Sequence, residues 1–129
     1  MKKSHRNWYY LTLFFLIIGF IILFSYLGKP NWHYIGTTSI LGAFGVHALL
    51  SAILTKTGYI SNPWIYICKD IASQRNSLFF MELVEAIVLV LGAAINWYTK
   101  YDTFGATIFI AVSIYCALFY YFRWLYKNR

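Results

Sequence analysis

Three side chains in this sequence are placed where a charge is expensive: His47, Glu82 and Glu85 all lie inside long apolar stretches. A charged group in hydrocarbon costs several kcal/mol unless it is paired, hydrated or protonated. Glu82 and Glu85 are three residues apart and share one helix face, and Leu89, Gly92 and Asn96 continue the same line. With a helix entering the membrane near Ser77, Glu82 falls roughly 9 Å and Glu85 roughly 13 Å along its axis. His47 lies eight residues before Thr55, the end of another apolar stretch, which brings it to about the depth of Glu85. Ser51, one turn further on, matches Glu82. On the last stretch Ser113, Cys116, Tyr120 and Arg123 share a face over the same depth range. An imidazole, two carboxylates, a phenol and a thiol that converge in this way suit the handling of a proton, an ion or a polar substrate. The competing reading is a hydrogen-bonded patch that only fixes helix register. In either case His47 and Glu85 are expected to pair, as imidazolium and carboxylate or by sharing one proton.

Other chemistries fit less well. A two-metal carboxylate bundle needs Glu-x-x-His on two helices, and His5 and His33 lie outside the apolar stretches, so no metal and no cofactor is expected. No Gly-rich phosphate loop, Ser-His-Asp set or zincin motif is present, and no catalytic residue is assigned. Cys68 and Cys116 belong to no disulfide framework or Cys-x-x-Cys motif.

The elements that must position these residues follow from composition. Of 129 residues 60% are apolar, 22% aromatic and 12% charged, against about 25% charged in a soluble domain. Four stretches, 8–27, 34–55, 77–98 and 104–124, are each about 30 Å long as helices, the thickness of a bilayer core. The first follows a basic start and mimics a signal peptide, but without a small-x-small cleavage pattern it is read as a retained span. The links 28–33 and 99–103 are short enough to force antiparallel hairpins. The expected fold is therefore an all-α membrane protein, with four transmembrane helices in one domain, arranged as two antiparallel hairpins.

The segment joining the hairpins carries its own helical signal. Asn62 is an N-cap candidate with Pro63 after it, and Trp64, Ile67, Cys68 and Ile71 recur at helical spacing. A short interfacial amphipathic helix is expected over 63–73.

Nine of the eleven Lys and Arg residues fall at the two termini and in this joining segment; Lys29 and Lys100 fall on the other side. Both termini and the joining segment are therefore expected to be cytoplasmic. Aromatic belts agree, with Trp8, Tyr9, Tyr10, Tyr120, Tyr121, Trp124 and Tyr126 at one interface and Tyr26, Trp32, Tyr34, Trp97, Tyr98 and Tyr101 at the other. The formal charge of +7 is spent on orientation, which argues against nucleic acid as a partner. The abundance of Ile, Phe, Tyr, Asn and Lys suggests an AT-rich bacterial genome and a bacterial inner membrane.

A small-residue stripe on the second span, Thr38, Gly42, Gly45, Ala48 and Ala52, allows close helix packing. It serves contacts within the chain or an interface with a second copy or a partner membrane protein.

In outline the chain resembles the GtrA-like proteins, regarded as small flippases for polyprenol-linked sugars. The run Tyr121-Phe122-Arg123-Trp124-Leu125-Tyr126 is similar to that family's aromatic–Arg–aromatic ending. The family's Asn in the first span and the matching aromatic–Arg end of its second have no counterpart here. Three functions follow in order of fit: an oligomeric transporter, channel or flippase-type component; a non-enzymatic accessory, immunity or regulatory subunit; and an enzyme acting on a lipid or quinone. The topology is checked with reporter fusions at Arg129 and at Lys100, which are expected to give opposite signals. Equal signals contradict the four-span arrangement.

Overall fold

The computed structural model describes residues 2–129, apart from the side chain of Trp32, so the belt position assigned to Trp32 lies outside the described residues. Four helices follow one another: α1 (Lys3–Tyr26), α2 (Trp32–Thr57), α3 (Ile71–Thr99) and α4 (Phe104–Leu125). All four are long and apolar enough to cross a membrane. Helices satisfy their backbone internally, which is why apolar chain of this length takes this form in lipid. The chain is a multi-pass, all-α membrane protein.

The four helices do not surround a common axis. α2 and α3 form the central pair, α1 packs on α2 alone, and α4 packs on α3 with a slight touch on α2. In a bilayer such contacts gain little from the hydrophobic effect and depend on close packing and interhelical hydrogen bonds. Glycines provide the close packing at two points. A Cβ on Gly45 would lie 2.8 Å from Val90 Cγ2, and one on Gly92 would collide with the Thr107 side chain.

Asn96 provides the hydrogen bonds. It is fully buried, and its Nδ2 donates among the Tyr34 carbonyl (3.0 Å), Thr37 Oγ1 (2.9 Å) and Thr38 Oγ1 (2.7 Å). Its Oδ1 accepts from the Thr103 backbone N–H (2.7 Å) and hydroxyl (3.1 Å). One amide thus joins the start of α2, the end of α3 and the residue that opens α4. At the opposite end Asn7 Nδ2 donates to the Tyr59 carbonyl (3.1 Å) and the Ser61 N–H to the Ser4 carbonyl (3.1 Å), which fixes α1 beside the end of α2.

The small-residue stripe of α2 is largely consumed inside the chain. Ala48 and Ala52 are buried, Thr38 is bonded to Asn96 and Gly45 faces α3. Only Gly42 has open space where a Cβ would stand. Four of its five residues are thus engaged in packing within the chain.

The interfacial helix expected over 63–73 is not formed: residues 59–70 are non-helical and α3 begins at Ile71. Local polar groups outcompete the helix. Asn62 Oδ1 accepts from the Trp64 N–H (2.8 Å) in an Asx turn. Gln74 Oε1 accepts from the Ile67 N–H (2.7 Å) and the Cys68 N–H (3.2 Å), and its Nε2 donates to the Ile65 carbonyl (2.8 Å). With their backbone groups satisfied from α3, Ile67 and Cys68 plug against Met81 and the end of α4. The apolar spacing reflected this plug and not an amphipathic stripe, since Trp64 and Ile71 stay exposed.

Asp70 then caps α3, accepting from the Ser73 hydroxyl (2.6 Å) and N–H (3.3 Å). The Ser73 hydrogen bond lowers the Asp70 pKa from its ordinary 3.8. The contribution of this cap is present above that value and is lost as pH falls through the lowered one.

Two substitution sets check the packing by unfolding in nanodiscs. Asn96→Leu leaves the Thr103 N–H without its acceptor and is expected to cost about 1–3 kcal/mol. Gly42→Ala, with room and better helix propensity, is expected to be neutral or stabilising by up to ~1 kcal/mol, whereas Gly45→Leu destabilises the monomer itself. Equal tolerance at Gly42 and Gly45 contradicts this packing.

Candidate functional site

Between α2, α3 and α4 lies a cleft of about 340 Å³. α2 presents Phe44, His47 and Ala48 to it, and α3 presents Glu82, Glu85 and Leu89, each set at the i, i+3, i+4 or i+7 spacing of one helix face. α4 closes the third side with Ile108, Ala111, Val112, Tyr115 and Cys116. Ala48 and Ala111 provide the space, since side chains reaching from either helix would fill it. The walls are mostly apolar, and the polar atoms are confined to a few side chains, the usual make-up of a ligand site.

Two of those polar atoms are unspent. His47 Nε2 and Glu85 Oε2 are each buried and have no hydrogen-bond partner within the protein. The pairing of His47 with Glu85 expected from depth is therefore not formed, although both residues line the same cleft. The His47 ring instead packs edge-on against Phe15 of α1, 5.1 Å between centroids. Glu82 has one distant partner, Tyr115, whose hydroxyl donates to Oε1 at 3.4 Å. Matched depth placed the two side chains in one space but could not set the rotamers that would join them.

Glu85 lies at the midpoint of its helix. α3 starts at Ile71 and ends at Thr99, so Glu85 stands 14 residues from either end, ~21 Å along the axis. His47 stands ten residues before the end of α2 and Glu82 eleven after the start of α3, so the polar side chains lie in the central turns, toward the ends that adjoin the 58–70 connection.

The remaining candidates separate. Cys116 lines the cleft, while Ser51 is buried away from it. Ser113, Tyr120 and Arg123 are exposed and do not line the cleft, the Arg123 guanidinium lying over the Phe119 ring at 5.5 Å. The face of α4 that turns inward runs through Thr107, Ala111 and Tyr115. Sequence reasoning selected the outer face because it holds more polar types and so missed Tyr115. The small residues Thr107 and Ala111, spaced four apart and leading to Tyr115, were the available signal. Among the described residues no three His, Cys, Asp or Glu side chains come together as a metal site would need.

No family model, curated protein or solved structure matches this chain. The resemblance to GtrA-like proteins is thus carried by span count and one six-residue run alone, and the site stands on its own geometry.

The two cysteines report on the cleft directly. Cys68 is buried within the 59–70 segment against Met81 and its thiol donates to the Asp70 carbonyl at 3.6 Å, while Cys116 is exposed at the cleft wall. A membrane-permeant thiol reagent is expected to modify Cys116 well before Cys68. Equal rates, or faster reaction at Cys68, contradict an open cleft.

Proposed function

We propose that this protein is an oligomeric transporter, channel or flippase-type component of the bacterial inner membrane, with His47, Glu82 and Glu85 as the polar site that meets what is moved. The observation that supports this reading is the pair of unspent atoms, His47 Nε2 and Glu85 Oε2, buried at the edge of one cleft. A cluster kept only to fix helix register would have its polar atoms satisfied by one another. Here the protein bears the cost of burying them and gains no internal bond in return. With two carboxylates and one imidazole, the site favours a proton or another cation as the coupled species.

In this reading the helices run as two antiparallel hairpins, with both termini and the 58–70 connection in the cytoplasm, the arrangement that puts nine of eleven cations there. The cleft is bounded by three helices and open at its side, so a second copy laid across α2 and α4 is what would complete a path. Tyr115, through its bond to Glu82, acts as a positioning residue.

A second reading, a non-enzymatic accessory or regulatory subunit, is favoured by α1. Phe15 is the buried residue of that helix, while Phe14, Phe20 and Phe24 are each more than half exposed. A partner helix could cover that face.

Proteoliposomes loaded with a pH-sensitive dye distinguish the two. Under an imposed potential the wild type is expected to pass protons above the level of empty vesicles. Glu85→Gln is expected to abolish the flux with expression and oligomeric state intact, and Glu82→Gln to reduce it less. A flux unchanged by Glu85→Gln, or no flux in the wild type, favours the accessory reading.

A further inference from the structure

We propose that the recess where the charged ends of α1, α2 and α3 meet is a binding site for a phosphate-bearing anion, occupied in the membrane by the headgroup of an anionic lipid. The recess has a volume of about 550 Å³ and is walled by three separate stretches of chain. Lys2 and His5 come from the start of α1, Lys69 from the non-helical connection and Arg75 from the second turn of α3. No Asp or Glu is among its described lining residues. Cations scattered over a surface serve only to orient a membrane protein. Cations drawn from three elements into one concavity repel one another there, and a cleft lined by one sign of charge concentrates the field that an anion relieves.

The Arg75 guanidinium lies against the end of α2. Gly58 ends α2 with φ +83°, and a Cβ added there would lie 2.8 Å from the Arg75 guanidinium carbon. Glycine is needed there for the left-handed cap, and its lack of a side chain leaves room for the guanidinium. An arginine placed there offers the planar donor fork that matches a phosphate, and the lysines add point charges. The start of α1 contributes as well, because its N-cap residue, Lys2, makes no side-chain capping bond and so leaves the first-turn N–H groups without a side-chain cap.

Two features favour a lipid as the source of the phosphate. The recess lies at the ends of three spans, at headgroup depth, and is part apolar through Ile60 and Ile65. α1 also packs on α2 alone, so helix packing leaves the space between α1 and α3 open, and acyl chains could run alongside α1 from a headgroup held in the recess. Basic pockets between helices on the cytoplasmic side are suited to anionic headgroups. None of this depends on the transport reading.

Native mass spectrometry of the full chain tests the site, with equimolar phosphatidylglycerol and phosphatidylcholine as probes. The wild type is expected to retain phosphatidylglycerol preferentially. Lys69→Gln with Arg75→Gln is expected to lower that retention about tenfold or more, the effect of losing one charge-assisted hydrogen bond. Lys3→Gln with Arg6→Gln removes the same charge from exposed positions at the same end, off the recess, and is expected to retain the lipid. Equal loss in both double variants, or no preference in the wild type, overturns the proposal by showing diffuse attraction only. Lys69→Gln alone, in the exposed connection, keeps the test decisive if Arg75→Gln unfolds, which melting in phosphatidylcholine reveals. Competition with inorganic phosphate separates the sources: no displacement supports the lipid, whereas displacement supports a phosphate site but overturns the lipid as its occupant.

Discussion

The fold depends on one buried amide. Asn96 has its donors and its acceptor engaged at once, by the start of α2 and by the residue that opens α4. In lipid, where apolar surface has no preference for a neighbouring helix over an acyl chain, a saturated hydrogen-bonding group of this kind is among the few forces that can fix which helices meet. Gly92 brings α4 close one turn below Asn96, and Gly45 brings α3 close to α2 further along. Lateral position and spacing are both set from α3.

The cleft is a consequence of that arrangement. Asn96 and Gly92 hold one end of the α2–α3–α4 group together, and the Ile67–Cys68 plug, tied to α3 by Gln74, holds the other. Between them, alanine on α2 and α4 leaves the central turns apart. Two polar groups of α3 therefore have opposite states: Asn96 is fully bonded and rigidifies the fold, while Glu85 keeps a free oxygen in a space it shares with His47. A bonded polar group and an unbonded one are thus separated along one helix by three turns.

Much of this was legible in the sequence, and what was not has identifiable causes. Hydropathy located all four helices because a bilayer imposes length and apolarity together. α3 begins six residues before the span expected from 77, and Ser73, Gln74, Arg75 and Asn76 look like loop until Asp70 is seen to cap them. Helical spacing in Trp64, Ile67, Cys68 and Ile71 suggested an interfacial helix, but the Asx turn at Asn62 and the Gln74 side chain redirect the backbone. Asn96 was visible on the Glu82 line, yet its partners are about sixty residues away in sequence at one side and seven at the other. His47 and Glu85 were placed in one space by depth alone, and rotamers lie beyond the reach of spacing. Tyr115 was missed because polar type was used to choose the inward face of α4, where small residues decided it.

The central claim is that His47 and Glu85 share a cleft without satisfying one another. A double-mutant cycle of His47→Gln and Glu85→Gln, read as unfolding free energy in nanodiscs, measures their coupling directly. Our account predicts that the two effects add to within about 0.5 kcal/mol, because neither group holds the other. A coupling above about 1 kcal/mol, with the double variant recovering stability that either single change loses, would show a structural pair and contradict it.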